Sequence, residues 1–228
     1  MNRALLVAIL VTPALAALAA ADAPDPRACA TSGAACLDIA RKYFTGDGVE
    51  KNDAKARTFF LKGCDKKVGE ACGYAASLMI DGVGGARHLA AGHALREKAC
   101  TLGFNHACND LGSNWAEATG GVAAKNFAKA KRYYDKACTL RDGLGCFNLG
   151  NVFRLGEGVA VDMPKAIALF QQACDLDAAG GCTELAIIYY EGKATPRDTP
   201  KALALLEKGC TLGSEVACKN AELLAKQP

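Results

Sequence analysis

The twelve cysteines of this chain fall in a fixed rhythm, and that rhythm leaves very few architectures open. A unit of cysteine, seven residues and cysteine recurs as Cys64/Cys72, Cys100/Cys108, Cys138/Cys146, Cys174/Cys182 and Cys210/Cys218. Cys29/Cys36 opens the series with a slightly tighter version. The second cysteines stand at 36, 72, 108, 146, 182 and 218, a step of 36 residues broken once by a step of 38. A constant period in this range marks stacked repeats, each too small to bury its own apolar face.

How the cysteines are used depends on the compartment. The opening residues read as a secretory signal over 1–21, with Arg3 as the positive start and Leu5–Val11 as the apolar stretch. Cleavage is expected after Ala17-Leu18-Ala19 or Ala19-Ala20-Ala21, and Pro13 cuts the apolar run too short for a membrane span. No cysteine follows directly, which argues against a lipid-anchored mature end. The chain is therefore expected to be exported, to the periplasm or beyond the cell, where paired cysteines form disulfides. No Cys-x-x-Cys ligand pair is present, so a metal role is disfavoured. Only local pairing repeats identically down the chain, giving six bridges and no free thiol.

Aligning on the second cysteines exposes one unit five times. Its first half runs Cys36, Ile39, Ala40, Tyr43, Gly46, Gly48, Val49 and, in the fourth unit, Cys146, Leu149, Gly150, Phe153, Gly156, Gly158, Val159. Offsets of three, four and seven place these residues on one helical stripe, which the glycines end. The second half opens on Asn52, Asn126, Asp162 or Asp198, residues that cap a helix start, with Pro164 and Pro200 in the first turn. Each unit is thus a helical hairpin. The expected fold is all-α, a right-handed α/α solenoid of about five 36-residue hairpins clamped by disulfides. The boundaries drawn on the cysteines are an N-terminal segment at 22–34, repeats at 35–70, 71–106, 107–144, 145–180 and 181–216, and a capping helix at 217–228. The third unit is two residues longer, in its inner loop ATGGVAAKN.

The unit ACxxLGxxYxxGxGV…KAxxxxxxxxC resembles the Sel-one-like repeat, a relative of the tetratricopeptide repeat. The regular cysteine pairs are similar to its Hcp-type, disulfide-bridged subset, and the resemblance covers about residues 29–228. The second unit departs, with Ala75, Met79 and Ala91-Gly92 where leucine, an aromatic and Lys-Ala are expected. The resemblance implies a scaffold binding a peptide or protein in a concave groove. The alternative it implies is weak β-lactam binding or hydrolysis, and a further related group assists respiratory-complex assembly.

Motifs for chemistry are absent. Ser32, Ser77, Ser113 and Ser214 are followed three residues later by Ala35, Ile80, Ala116 and Ala217, never by the lysine of a serine β-lactamase. His88, His93 and His106 lack metal-ligand spacing and read as surface histidines, His93 facing outward. Lys125, Lys129, Lys131, Arg132 and Lys136 read as a solvated convex face, and Trp115 as core. No catalytic residue, metal or cofactor is expected. The formal charge of +3 is too small to argue for nucleic acid, and a monomer without stable membrane insertion is expected.

By analogy with tetratricopeptide repeats, first helices line the concave side. Positions one, two, five and eight after each second cysteine then point inward. The partner-binding set read this way is Asp38, Arg41, Tyr74, Ser77, Asn109, Asp110, Ser113, Asn148, Asn151, Arg154, Glu184 and Tyr190. Leu37, Phe44, Gly73, Ile80, Ala116, Phe147, Thr183 and Ile187 complete the same register. Amides, arginines and aromatics in this mixture can hold peptide backbone, carboxylates and apolar side chains.

Overall fold

The computed structural model describes residues 25–226, and these form twelve α-helices and no strand. The expected secretory signal over 1–21 and its expected cleavage site lie outside the described residues. A short helix α1 (Ala28–Thr31) leads into five hairpins: α2 (Gly33–Thr45) with α3 (Asp53–Asp65), α4 (Gly69–Asp81) with α5 (Leu89–Thr101), α6 (Asn105–Glu117) with α7 (Phe127–Thr139), α8 (Gly143–Leu155) with α9 (Met163–Asp175), and α10 (Ala179–Glu191) with α11 (Thr199–Thr211). A last helix, α12 (Glu215–Ala225), follows. Every hairpin helix has 13 residues, and each first helix starts three residues before its cysteine, inside the joint.

Local chemistry sets the ends. Asn52, Asn126, Asp162 and Asp198 accept from the backbone N–H of Lys55, Lys129, Lys165 and Lys201 at 2.9–3.0 Å. Each bond satisfies an amide that the helix leaves unpaired. Among the second helices α5 alone lacks this device, because His88 stands at its cap without a side-chain bond. Four first helices close on a glycine in the left-handed region, and α6 of the longer unit closes on Ala118, at φ 60.

Packing follows the stripe. Four residues after the second cysteine, Ala40, Ala76, Gly112, Gly150 and Ala186 are all buried. This is the place where the second helix crosses. A Cβ on Gly112 would lie 2.4 Å from the Tyr134 ring, and one on Gly150 2.7 Å from that of Phe170. In α12 the same position holds exposed Glu222, so the face that would receive a second helix is polar. Each second helix also packs on the next first helix, while α6, α8, α10 and α12 touch one another in turn. Direct contact between first helices puts them on the shorter, inner side of the stack.

Six disulfides close the joints: Cys29–Cys36, Cys64–Cys72, Cys100–Cys108, Cys138–Cys146, Cys174–Cys182 and Cys210–Cys218. Each of the last five joins the penultimate residue of a second helix to the first turn of the next helix. The three residues between are fixed by two backbone bonds, as in Lys67 N–H to Cys64 O and Val68 N–H to Gly63 O. The middle residue takes positive φ in every such joint, as Lys67, Gly103, Arg141, Asp177 and Gly213. A loop this short gains about 2.5 kcal/mol from its bridge in the chain-entropy picture.

Candidate binding face

Residues two and five positions after the second cysteines lie along the first helices and link successive units. Arg41 on α2 donates to Glu70 on α4. Asn148 on α8 donates to Asn109 on α6 at 2.8 Å. Arg154 donates to Asn151 at 2.9 Å within α8, and its Nε lies 3.8 Å from Glu184 on α10. Ser113 accepts from the Tyr134 hydroxyl at 3.2 Å. Asp38 and Tyr74 are exposed, whereas Ser77, Asp110 and Tyr190 are half-buried. The face is a strip of polar groups bonded from unit to unit.

Four residues at positions one and eight behave differently from the expectation. Leu37, Gly73, Ile80 and Thr183 are buried. Neighbouring side chains take their space: a Cβ on Gly73 would lie 2.5 Å from the ring of Phe104, in the joint before α6, and Ile80 fills the gap left by Gly92 on α5 of its own hairpin, where a Cβ would lie 2.5 Å from its Cγ1. His93 is a second departure. It is tucked edge-on against Trp115, with ring centroids 6.0 Å apart, and its Nε2 lies 3.6 Å from Glu97. In the basic run, the ammonium of Lys129 sits 3.8 Å over the Trp115 ring.

The second unit contains a feature absent from the other four. The residue four positions before the first cysteine is a buried core side chain in Phe60, Tyr134, Phe170 and Leu206, but here it is Arg96, only 8% exposed. The guanidinium faces a pocket of about 190 Å³ between α4 and α6, lined by Tyr74, Ser77, Phe104, His106 and Asp110. Its Nε lies 3.5 Å from Asp110 Oδ2. Burial pushes the Asp110 carboxyl above its ordinary range, while Arg96 and then His106 pull the other way and Asp142 adds to the rise. His106 Nδ1 in turn lies 2.8 Å from Asp142 Oδ2. The rings of Phe60, Tyr74, Phe104 and His106 run in sequence beside this pocket, with centroids 5.0, 6.3 and 5.6 Å apart.

The sequence analysis does not single out Arg96 or Phe104, and reads His106 as a surface histidine. Alignment on the first cysteine places an arginine in a column of Phe, Tyr, Phe and Leu. At the far end, Ile187, Tyr190, Leu206, Leu223 and Leu224 line an apolar groove of about 250 Å³ between α10 and α12. Among the described residues no group of three or more His, Cys, Asp or Glu could hold a metal ion. No described helix is long and apolar enough to cross a membrane.

A stack of near-identical hairpins, jointed by disulfides and joined along one polar face, defines a helical-repeat scaffold. The sequence profile of the Sel1 repeat matches residues 33–68, 105–142, 143–177 and 179–214, and the chain belongs to the Sel1-repeat family. The second hairpin, the one carrying Arg96, falls outside these matches. The chain is 34% identical to cytochrome c oxidase assembly factor 7A of Xenopus laevis over 54% of its own length and 56% of that protein. It is 46% identical to beta-lactamase HcpA of Helicobacter pylori over 20% of its length and 18% of that protein. It therefore spans about half of the first relative and a small part of the second. A Sel1 repeat protein from Oxalobacter formigenes has the same fold, with a TM-score of 0.80 and 23% identity over 86% of this chain and 79% of that one. A protective antigen of uropathogenic Escherichia coli matches with a TM-score of 0.76 at 22% identity, over 88% of this chain and 42% of that one.

Proposed function

We propose that the chain is an exported interaction scaffold that binds a peptide or protein partner along the inner face of its first helices. Sel1 repeats serve protein interaction, and an assembly factor among the relatives is the kind of protein such a scaffold suits. Six disulfides fit an oxidising compartment and support export. The observation that carries the reading is the pair Asn148 and Asn109: two amides from successive units meet at 2.8 Å, so one continuous face is held in register. Such preorganisation lowers the entropy lost on binding.

The test is capture of a partner from a native envelope extract by the oxidised chain, compared with Asn148→Ala and Asn151→Ala. Loss of the same partner in both variants, with unfolding curves unchanged, supports the reading. Equal capture by all three proteins rejects it. A chromogenic β-lactam added to the purified protein addresses the alternative: turnover abolished by a substitution on the inner face makes the chain an enzyme rather than a scaffold alone.

A further inference from the structure

We infer that the pocket around Arg96 is a carboxylate-binding subsite, taking an acidic side chain or chain terminus of a bound peptide with an apolar neighbour laid over Tyr74 and Phe104. The inference rests on the scaffold reading and assigns a chemistry to one part of its face.

Three observations meet here. First, the repeat itself calls for an apolar side chain at this position, as Phe60, Tyr134, Phe170 and Leu206 show. A guanidinium there forgoes hydrophobic burial and adds desolvation of a charge. Departures of this kind from a fold's own rule concentrate at functional sites. Second, the charge is weakly compensated. Arg96 has five N–H donors, and among the described residues its single ionic contact is Nε to Asp110 at 3.5 Å. The Asp110 side chain is itself 47% exposed, so water shares in solvating its charge. The two terminal nitrogens of Arg96 carry the planar fork that matches a carboxylate bidentately. Third, the walls suit a flat or branched apolar group: Tyr74 and Phe104 stand 6.3 Å apart at 40°, with Gly73 keeping the floor low enough for the Phe104 ring. Carboxylate recognition by the guanidinium and apolar contact with the rings give one short ligand two simultaneous holds.

An incoming carboxylate competes with Asp110 for the guanidinium. The negative charge of Asp110 therefore opposes binding. Removing that charge strengthens the site.

The test uses the full oxidised chain and three blocked ligands: N-acetylphenylalanine, with a terminal carboxylate; N-acetylphenylalanyl-glutamic acid α-amide, with a side-chain carboxylate; and N-acetylphenylalaninamide, with none. Amide shifts of Gly73, Ser77 and Ala107 are followed by NMR through millimolar concentrations. The expected result is saturable binding of at least one acid, about tenfold or more tighter than the amide. Which acid binds better identifies the source of the carboxylate. Arg96→Leu restores the residue type used at Leu206 and keeps the hairpin, so it should abolish binding without unfolding, and Asp110→Asn should tighten it. Equal binding of acid and amide, no shift with any ligand, or binding retained in Arg96→Leu overturns the inference. A captured partner lost in Asn148→Ala but fully retained in Arg96→Leu leaves the scaffold reading standing and removes this subsite.

Discussion

The imidazole Nδ1 of His106, on α6, lies 2.8 Å from the Oδ2 of Asp142, the residue that caps α8 in the next unit. The histidine is exposed, whereas the carboxylate side chain is 1% exposed and spends its other oxygen on the Gly145 amide at 2.7 Å. One buried carboxylate thus starts a helix and ties it to the unit before. Asp142→Ala removes both contacts and should cost about 2 kcal/mol in urea unfolding. His106→Ala keeps the cap but leaves the buried Asp142 Oδ2 without its contact, and should cost about 1 kcal/mol. Comparable losses for the two variants would contradict this division of labour.

The pH response of Asp110 is fixed in sign by its surroundings. Its carboxyl binds a proton more tightly when folded than the ordinary 3.8, because burial outweighs Arg96 and His106. The folded state therefore holds this proton where the unfolded chain has released it, and the group's contribution to stability falls as pH rises from 3.8 through the raised value. Carbon NMR of the Asp110 carboxyl should show a midpoint above 3.8. Arg96→Leu should move it higher, and Asp142→Asn lower. Shifts in the reverse directions would refute the assignment of causes.

Two glycines with positive φ should respond unequally to alanine. Gly103, at φ +87, has no atom within 4 Å of an added Cβ, and Lys67, Arg141 and Asp177 hold the same place in other joints. Gly103→Ala should cost about 1 kcal/mol, the backbone term alone. Gly84, at φ +70, would place its Cβ 2.3 Å from the Asp53 carbonyl oxygen, where Arg57 also holds the loop through Ala86 O at 2.9 Å. Gly84→Ala adds a backbone clash and should cost about 3 kcal/mol. Thermal unfolding of the two variants side by side decides the order.

Replacing Cys64 and Cys72 together by alanine should lower stability by about 2.5 kcal/mol. The loss should be local, because contacts in a solenoid run between neighbours. Hydrogen exchange should rise in α3 and α4 and stay near its original level in α10 and α11. Uniform acceleration along the chain would instead mean that the units unfold as one body.

The fold was legible because its determinants are local. The 36-residue step, the Asn and Asp caps and the glycine stops each act within one hairpin, so a single unit carries the signal. The Sel1 profile still misses the second hairpin, yet α4 and α5 form there with the same length as their counterparts. Less could be read of the inner face, since exposure there depends on the following unit. Leu37, Gly73, Ile80 and Thr183 share the register of exposed residues but are covered by partners that no spacing rule names. Arg96 is legible as an arginine in a column of Phe60, Phe170 and Leu206, 24 residues after each second cysteine, but its partner Asp110 lies on the next first helix and no spacing rule brings the two together.

Every bridge joins a cysteine to the next one in the chain, seven or eight residues on. Oxidation in simple order along the chain therefore produces the native set, with no pairing that must wait for a distant segment. Each bridge can lock a joint while the remainder of the chain is still arriving, so reshuffling by an isomerase is not a required step. A scaffold built this way can mature from one end to the other at the pace of its own delivery.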